Sequence, residues 1–279
     1  DSPSPTPATT GAPTEATAPE GLLAGAWRLR DYWTIAYLRT WKGSAASSFV
    51  QPLFYVVAMG VLLGGFVEAD PETLEGATSY LAFVIPGMVA ATSMTTTFGE
   101  VTYPVMGQVK WHKSYYAMTA TPLSVRDVVT AHLSFVLVRV AQTAAVFLLV
   151  TSFFGVFETW WGVLLAFLVQ VLVGAAFAAP IYALSAGLKD ESPFALIFRL
   201  GMIPMFLFSG AFFPISNLSA PLEALARVTP LWRGVDLTRM LVLDTLDPAA
   251  ALLHVVFLAA LAVVGWAWAV RRLTRRMIT

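Results

Sequence analysis

Residues able to do chemistry sit inside long apolar runs, where a polar group needs a reason to be. Arg139 lies near the middle of the run Val128 to Phe153, with His132 seven residues before it and Thr143 four after, on one helical face. A guanidinium at that depth costs several kcal/mol unless it is paired or hydrated, so it must face a helix bundle or a water-filled cavity. Arg199 lies early in another run, from which a long side chain can reach back to the surface. Glu100 closes a third run and can pair with either arginine. Two readings are open: these groups line or gate a substrate path, or they form an ion pair that locks helices together. Thr92, Ser93, Thr95, Thr96 and Thr97 cluster just before Glu100. Their hydroxyls can bond back to helical carbonyls or line a polar portal.

Other chemistries lack their residues. There is no G-x-x-x-x-G-K-[ST] loop to cradle nucleotide phosphates and no H-E-x-x-H metal spacing. The histidines, at 112, 132 and 254, are far apart, and the chain has no cysteine for disulfides, Cys-ligated zinc or thiol catalysis. No catalytic, cofactor-binding or metal-ligating set is therefore expected. A lipid-modifying enzyme would need Asp, His or Ser residues converging at an interface, and none is seen. Net charge is zero, which implies no nucleic-acid partner.

The elements that must position these residues are membrane helices. Of the 279 residues, 57% are hydrophobic and only 12% charged, against roughly a quarter charged in a soluble domain. Crossing a hydrocarbon core takes about 20 apolar residues, and six runs qualify: 46–67, 79–99, 128–153, 161–184, 194–213 and 250–270. Residues 1–20, rich in Pro and Thr with no apolar run, read as a disordered tail. Residues 21–45 read as an interfacial amphipathic helix. Leu22, Ala26, Leu29, Trp33, Ala36 and Tyr37 fall on one face and Arg28, Asp31, Arg39 and Lys42 on the other. A soluble amphipathic helix is the other reading. Residues 46–279 form the transmembrane domain, giving an all-α integral membrane protein.

Charge alternation supports that count. Arg28, Arg30, Arg39 and Lys42 precede the first run; Lys110, Lys113 and Arg126 follow the second; Lys189 follows the fourth; Arg271, Arg272, Arg275 and Arg276 end the chain. Glu68, Asp70, Glu72 and Glu75 fill the first connection with no base. The positive-inside rule then places both termini in the cytoplasm. Two connections are long. The cytoplasmic one, 101–127, has helical content and many aromatics. The external one, 214–248, holds two helix-like stretches parted by Pro230, with Leu231, Val235, Thr238 and Val242 on one face of the second. They read either as short helices dipping into the outer leaflet or as a folded external loop.

Four of these features together resemble the type-2 ABC exporter permeases, most closely the nodulation lipo-oligosaccharide and daunorubicin-type branch. They are the interfacial helix, the segment KWHKSYYAMTATPLSVRDVV after the second span, the segment FSGAFFPISNLSAPLEALARVTPLWRGVDLTR from Phe208 to Arg239, and the six-span layout. The resemblance covers about residues 22–279. It implies a permease subunit that moves an amphipathic drug, lipid or (lipo)oligosaccharide out of the cytoplasm or inner leaflet of a bacterial plasma membrane. It implies a second permease subunit, as a homodimer, and two copies of a separate ABC ATPase that binds ATP and Mg. A cytoplasmic coupling helix carrying Gln108, Lys110, Trp111, Lys113, Tyr115 and Met118 would dock in the ATPase. Re-entrant helices with Phe212, Phe213, Pro214 and Trp232 would form an external lid. Glu100, His132, Arg139, Thr143 and Arg199 remain candidates for the translocation path or its gate. A secondary transporter or channel needing no ATPase is the alternative. It would carry internal repeats, and the three-span halves share no broken helices or motifs.

Overall fold

A computed structural model describes residues 74–278 continuously, and before them only scattered positions between 26 and 58. The tail at 1–20 and most of the first span lie outside the described residues. What is described is helical. Helix α1 (Tyr80–Val101) is capped by Ser79, whose hydroxyl accepts from the Ala82 amide at 3.1 Å. After a break at Thr102 the chain continues through α2 (Tyr103–Met106) and a π turn (Gly107–Trp111). The left-handed Lys113 (φ 53°) then turns the chain into α3 (Ser114–Thr119). Ser124 and Asp127 form a capping box that starts α4 (Val125–Ser152), and α5 (Trp160–Gly187) follows.

An apolar helix α6 (Ser192–Leu207) comes next, interrupted by a π segment (Ile197–Met202). Two shorter helices, α7 (Ala220–Val228) and α8 (Pro230–Val242), precede α9 (Pro248–Ile278). Thr229 caps α8 by accepting from the Trp232 amide, and Pro230 fits its first turn, where an N–H would be unused.

Among the described residues four helices are long and apolar enough to cross a membrane: Tyr80–Trp111, Val125–Ser152, Trp160–Gly187 and Pro248–Met277. They correspond to the second, third, fourth and sixth expected runs. The first is the innermost, with 83% of its apolar stretch buried, against 17% for α9. Helix α5 is the central spine, packed by α1, α4, α8 and α9. Gly265 lets α9 cross the Pro180 bend, because a Cβ there would lie 2.6 Å from the proline ring.

The fifth run departs from its expected 194–213 boundaries. Its helix ends at Leu207, and residues 208–213 are irregular. Gly210, at φ 76°, turns the chain back, and Ala211 lands on α1 where a Cβ at Gly87 would be 2.4 Å from its Cα. Sixteen residues reach only about 24 Å, and the irregular stretch that follows is packed into the protein, where backbone outside a helix is tolerated.

Candidate functional site

The polar residues fall into three groups along the bundle, an outer one at the α8 end, a middle one, and an inner one at the α3 end. The outer group closes around the irregular stretch, whose freed carbonyls need donors. Arg239 of α8, only 3% exposed, supplies them. It donates to the carbonyls of Gly210 (2.7 Å) and Phe83 (3.3 Å), pairs with Glu75 and stacks over the Phe83 ring at 4.0 Å. Burial pulls its guanidinium pKa down and the Glu75 carboxylate opposes that pull. One side chain thus ties α8, α1, the loop before α1 and the turn after α6.

The expected lid residues gather nearby. Tyr80 donates to the Phe212 carbonyl at 3.1 Å, and the Phe212 ring meets Phe206 edge-on at 5.0 Å. Pro214 is buried, Phe213 is partly so, and Trp232 approaches Gly210. Beside them, Arg233 donates to His254 Nδ1 at 3.2 Å while His254 Nε2 faces Asp236 at 2.9 Å. Arginine only donates and carboxylate only accepts, so Nδ1 is the accepting and Nε2 the donating nitrogen, and the group clasps α8 to α9.

The middle group is a fully buried chain. Ser93 of α1 donates to Gln170 of α5 (3.1 Å), and Gln170 donates to Thr238 of α8 (2.8 Å). All three are at most 1% exposed. Most of the α1 hydroxyl cluster otherwise bonds back along the helix: Thr92 to the Met88 carbonyl, Thr97 to Ser93, Thr95 to Thr92.

The inner group contains the remaining candidates. Arg139 pairs with Glu100 at 3.0 Å, and its guanidinium lies 5.0 Å from the Tyr37 ring centre. Tyr37 also bonds to Gln142. Of the two arginines open to Glu100, α4 supplies the partner; Arg199 is exposed on the π segment of α6. His132 and Thr143 are buried on α4. The Tyr115 hydroxyl is bonded to His132 Nδ1, Trp33 stacks on His132 at 4.2 Å, and Tyr182 meets it edge-on at 5.5 Å. Burial pushes the Tyr115 phenol well above its usual range, with Tyr182 adding to the rise, so it keeps its proton.

The coupling candidates therefore divide. Tyr115 and Met118 point into the bundle, whereas Lys110, Trp111 and Lys113 are exposed and Gln108 is half-buried, accepting from Tyr32 at 3.4 Å. The exposed Tyr116 stands beside them, a position the sequence reading passed over. Lys110 bridges to Glu191 at 3.2 Å, joining the segment to the start of α6. A groove of ≈ 170 Å³ opens between α1, α6 and the described part of the first span, lined by Tyr55, Ala91, Thr92, Thr95, Met202, Ile203 and Phe206.

Against known proteins, the sequence profile of the family described as ABC-2 type transporter matches residues 28–243. The chain belongs to the ABC-2 type transporter family. Curated relatives agree along most of the length. Nodulation protein J of Rhizobium leguminosarum bv. trifolii is 30% identical over 217 residues, which is 78% of this chain and 79% of that protein. Nodulation protein J of Rhizobium meliloti is 28% identical over 262 residues, 92% of this chain and 97% of that one. The Sinorhizobium fredii protein of the same name is 28% identical over 265 residues, again 92% and 97%. This ABC-2 permease is thus a membrane component of an ABC transporter.

Arg239, Glu75, Gln170, Thr238 and the Arg233–His254–Asp236 group escaped the sequence reading as site residues. A signal existed for Arg239: it follows Leu231 and Val235 at intervals of four, on the face that is buried.

Proposed function

We propose that this permease is the export path of an ATP-driven pump, working as a homodimer with two ATPase subunits that hold ATP and Mg. Both termini lie in the cytoplasm of a bacterial cell, and the cargo is an amphipathic drug, lipid or (lipo)oligosaccharide. The observation that carries this reading is the exposed face of Lys110, Trp111 and Lys113, with Trp111 53% exposed. A large aromatic flanked by two bases, at the foot of the 32-residue helical stretch Tyr80–Trp111, suits insertion into a partner's pocket. The same stretch reaches the lid, because Phe83 and Gly87 at the other end touch Arg239 and Ala211. A push on the segment would travel along α1 to the outer seal. The groove beside Thr92 and Thr95 is the path's entry, and the Arg239 cluster closes its outer end.

Trp111→Ala tests the docking role. The side chain is outside the core, so the protein should insert and fold normally. In membranes holding both subunits, cargo-stimulated ATP hydrolysis should fall about tenfold or more, as for loss of a buried aromatic anchor. Unchanged coupling would remove this face from the interface.

A further inference from the structure

Both ring nitrogens of His254 are held by a single neighbouring helix. The residue lies on α9, near the end that meets α8, and is 2% exposed. Arg233 and Asp236 stand one helical turn apart on α8. Arg233 Nη1 donates to His254 Nδ1 at 3.2 Å, and Nε2 donates to Asp236 at 2.9 Å. The first contact uses the Nδ1 lone pair. A proton on Nδ1 removes that acceptor and sets a second cation 3.2 Å from the guanidinium. The Asp236 contact survives, because the charged ring still donates through Nε2 and gains an ion pair. One proton thus turns a two-point clasp into a one-point clasp.

The Arg233 side is free to let go. Its Nε has no hydrogen-bond partner, and its guanidinium otherwise rests over the rings of Phe257 at 4.4 Å and Trp232 at 5.9 Å. Arg233 and Asp236 are both partly exposed, so water reaches the cluster. The surrounding charges are engaged elsewhere. On α8, Arg239 pairs with Glu75, and Asp236 adds to the field upon it. On α7, Arg227 pairs with Glu223 at 2.6 Å and lies over Trp232. At the start of α9, Asp247 accepts from the Ala249 amide at 2.9 Å. Helix α5 carries no Asp, Glu, Lys, Arg or His, and α4 carries none from Val140 to Ser152. His112 and His132 belong to the inner end of the bundle.

We infer that the Arg233–His254–Asp236 cluster is an acid-released latch between α8 and α9, in which a proton on Nδ1 frees Arg233 and loosens the first turns of α8. Imidazoles change charge between about pH 5 and pH 8, so the latch works in the range a bacterium meets outside. Protonation and release favour each other, and acid raises the population of the released form. Trp232, a lid residue, lies in the loosened turn and meets the His254 ring edge-on at 5.3 Å. The link to transport rests on the permease reading, in which acid at the lid eases its opening.

The test uses the absence of native cysteine. Leu231 is fully buried, two residues before Arg233, so a single Leu231→Cys reports lifting of α8 through maleimide labelling of the full chain in nanodiscs. Each rate is divided by that of the same chain unfolded in dodecyl sulfate at the same pH, which removes the chemistry of the thiol itself. Between about pH 7.5 and about pH 5.5 the protection should fall roughly tenfold, the scale of one hydrogen bond. Adding His254→Gln should keep the protection at both pH values, because the amide accepts and donates as the neutral ring does but does not titrate. Adding Arg233→Gln should also flatten the response, because no cation then opposes the charged ring. Protection that ignores pH in the Leu231→Cys chain would overturn the inference. So would a pH response that survives either second substitution, and Arg233→Gln serves alone if His254→Gln does not fold. Labelling needs no ATPase, so a pH-released α8 without ATP-driven flux would count against the pump and not against the latch.

Discussion

Arg239 ties α8 to α1 and to the turn after α6 because three kinds of contact converge on one fork of donors. Two backbone carbonyls, a carboxylate and a ring share it. Replacing it by Met should leave those carbonyls and Glu75 unanswered and cost about 3 kcal/mol, read as a lowered unfolding midpoint in detergent. Lysine should not restore it, since one ammonium cannot span the same points. At the inner end, Tyr115 is a core residue. Tyr115→Phe loses one hydrogen bond to His132, about 1 kcal/mol, whereas Tyr115→Ala should cost about 3–5 kcal/mol through the cavity left behind. Both should show as stability losses in the isolated permease, without any ATPase present. The contrast with exposed Trp111 divides a segment that the sequence presented as one docking surface.

Between elements, close approach is set by small residues. Gly87→Ala places a methyl 2.4 Å from the Ala211 backbone, so the turn at 208–213 must lift off α1. The expected result is faster protease cleavage or hydrogen exchange there, with α4 and α5 unaffected. The link from the coupling segment to α6 is pH-dependent. A hydrogen bond from its own backbone amide lowers the Glu191 carboxyl, and Lys110 lowers it further. A depressed carboxylate contributes above its unfolded pKa and loses that contribution as pH falls through its folded one. The Lys110–Glu191 contact should therefore persist at neutral pH and release only on acidification below the ordinary carboxylate range. In Lys110→Ala the Glu191 titration, followed by NMR, should move part of the way back up.

At the scale of the whole molecule, hydropathy made the long helices legible. The expected second, third, fourth and sixth runs fall on α1, α4, α5 and α9, because nothing competes with burial of 20 apolar residues in lipid. The fifth was overextended for a physical reason. Phe208, Ala211, Phe212 and Phe213 are as apolar as a helix interior, yet Gly210 and the Arg239 donors favour an irregular path that hydropathy cannot register. The Arg139–Glu100 pair was visible as a possibility, since unpaired charge at depth has few alternatives. The Ser93–Gln170–Thr238 chain was not, because it joins residues up to 145 positions apart.

On the proposed function, an external motor drives this path through the Trp111 face. The most direct measurement is cargo export by vesicles containing the permease with a Walker-bearing ATPase that co-purifies with it. Flux should require hydrolysable ATP, and in the Trp111→Ala permease it should drop with hydrolysis while the helices remain folded. Flux that runs without ATP, or a permease that purifies with no ATPase and transports alone, would contradict it.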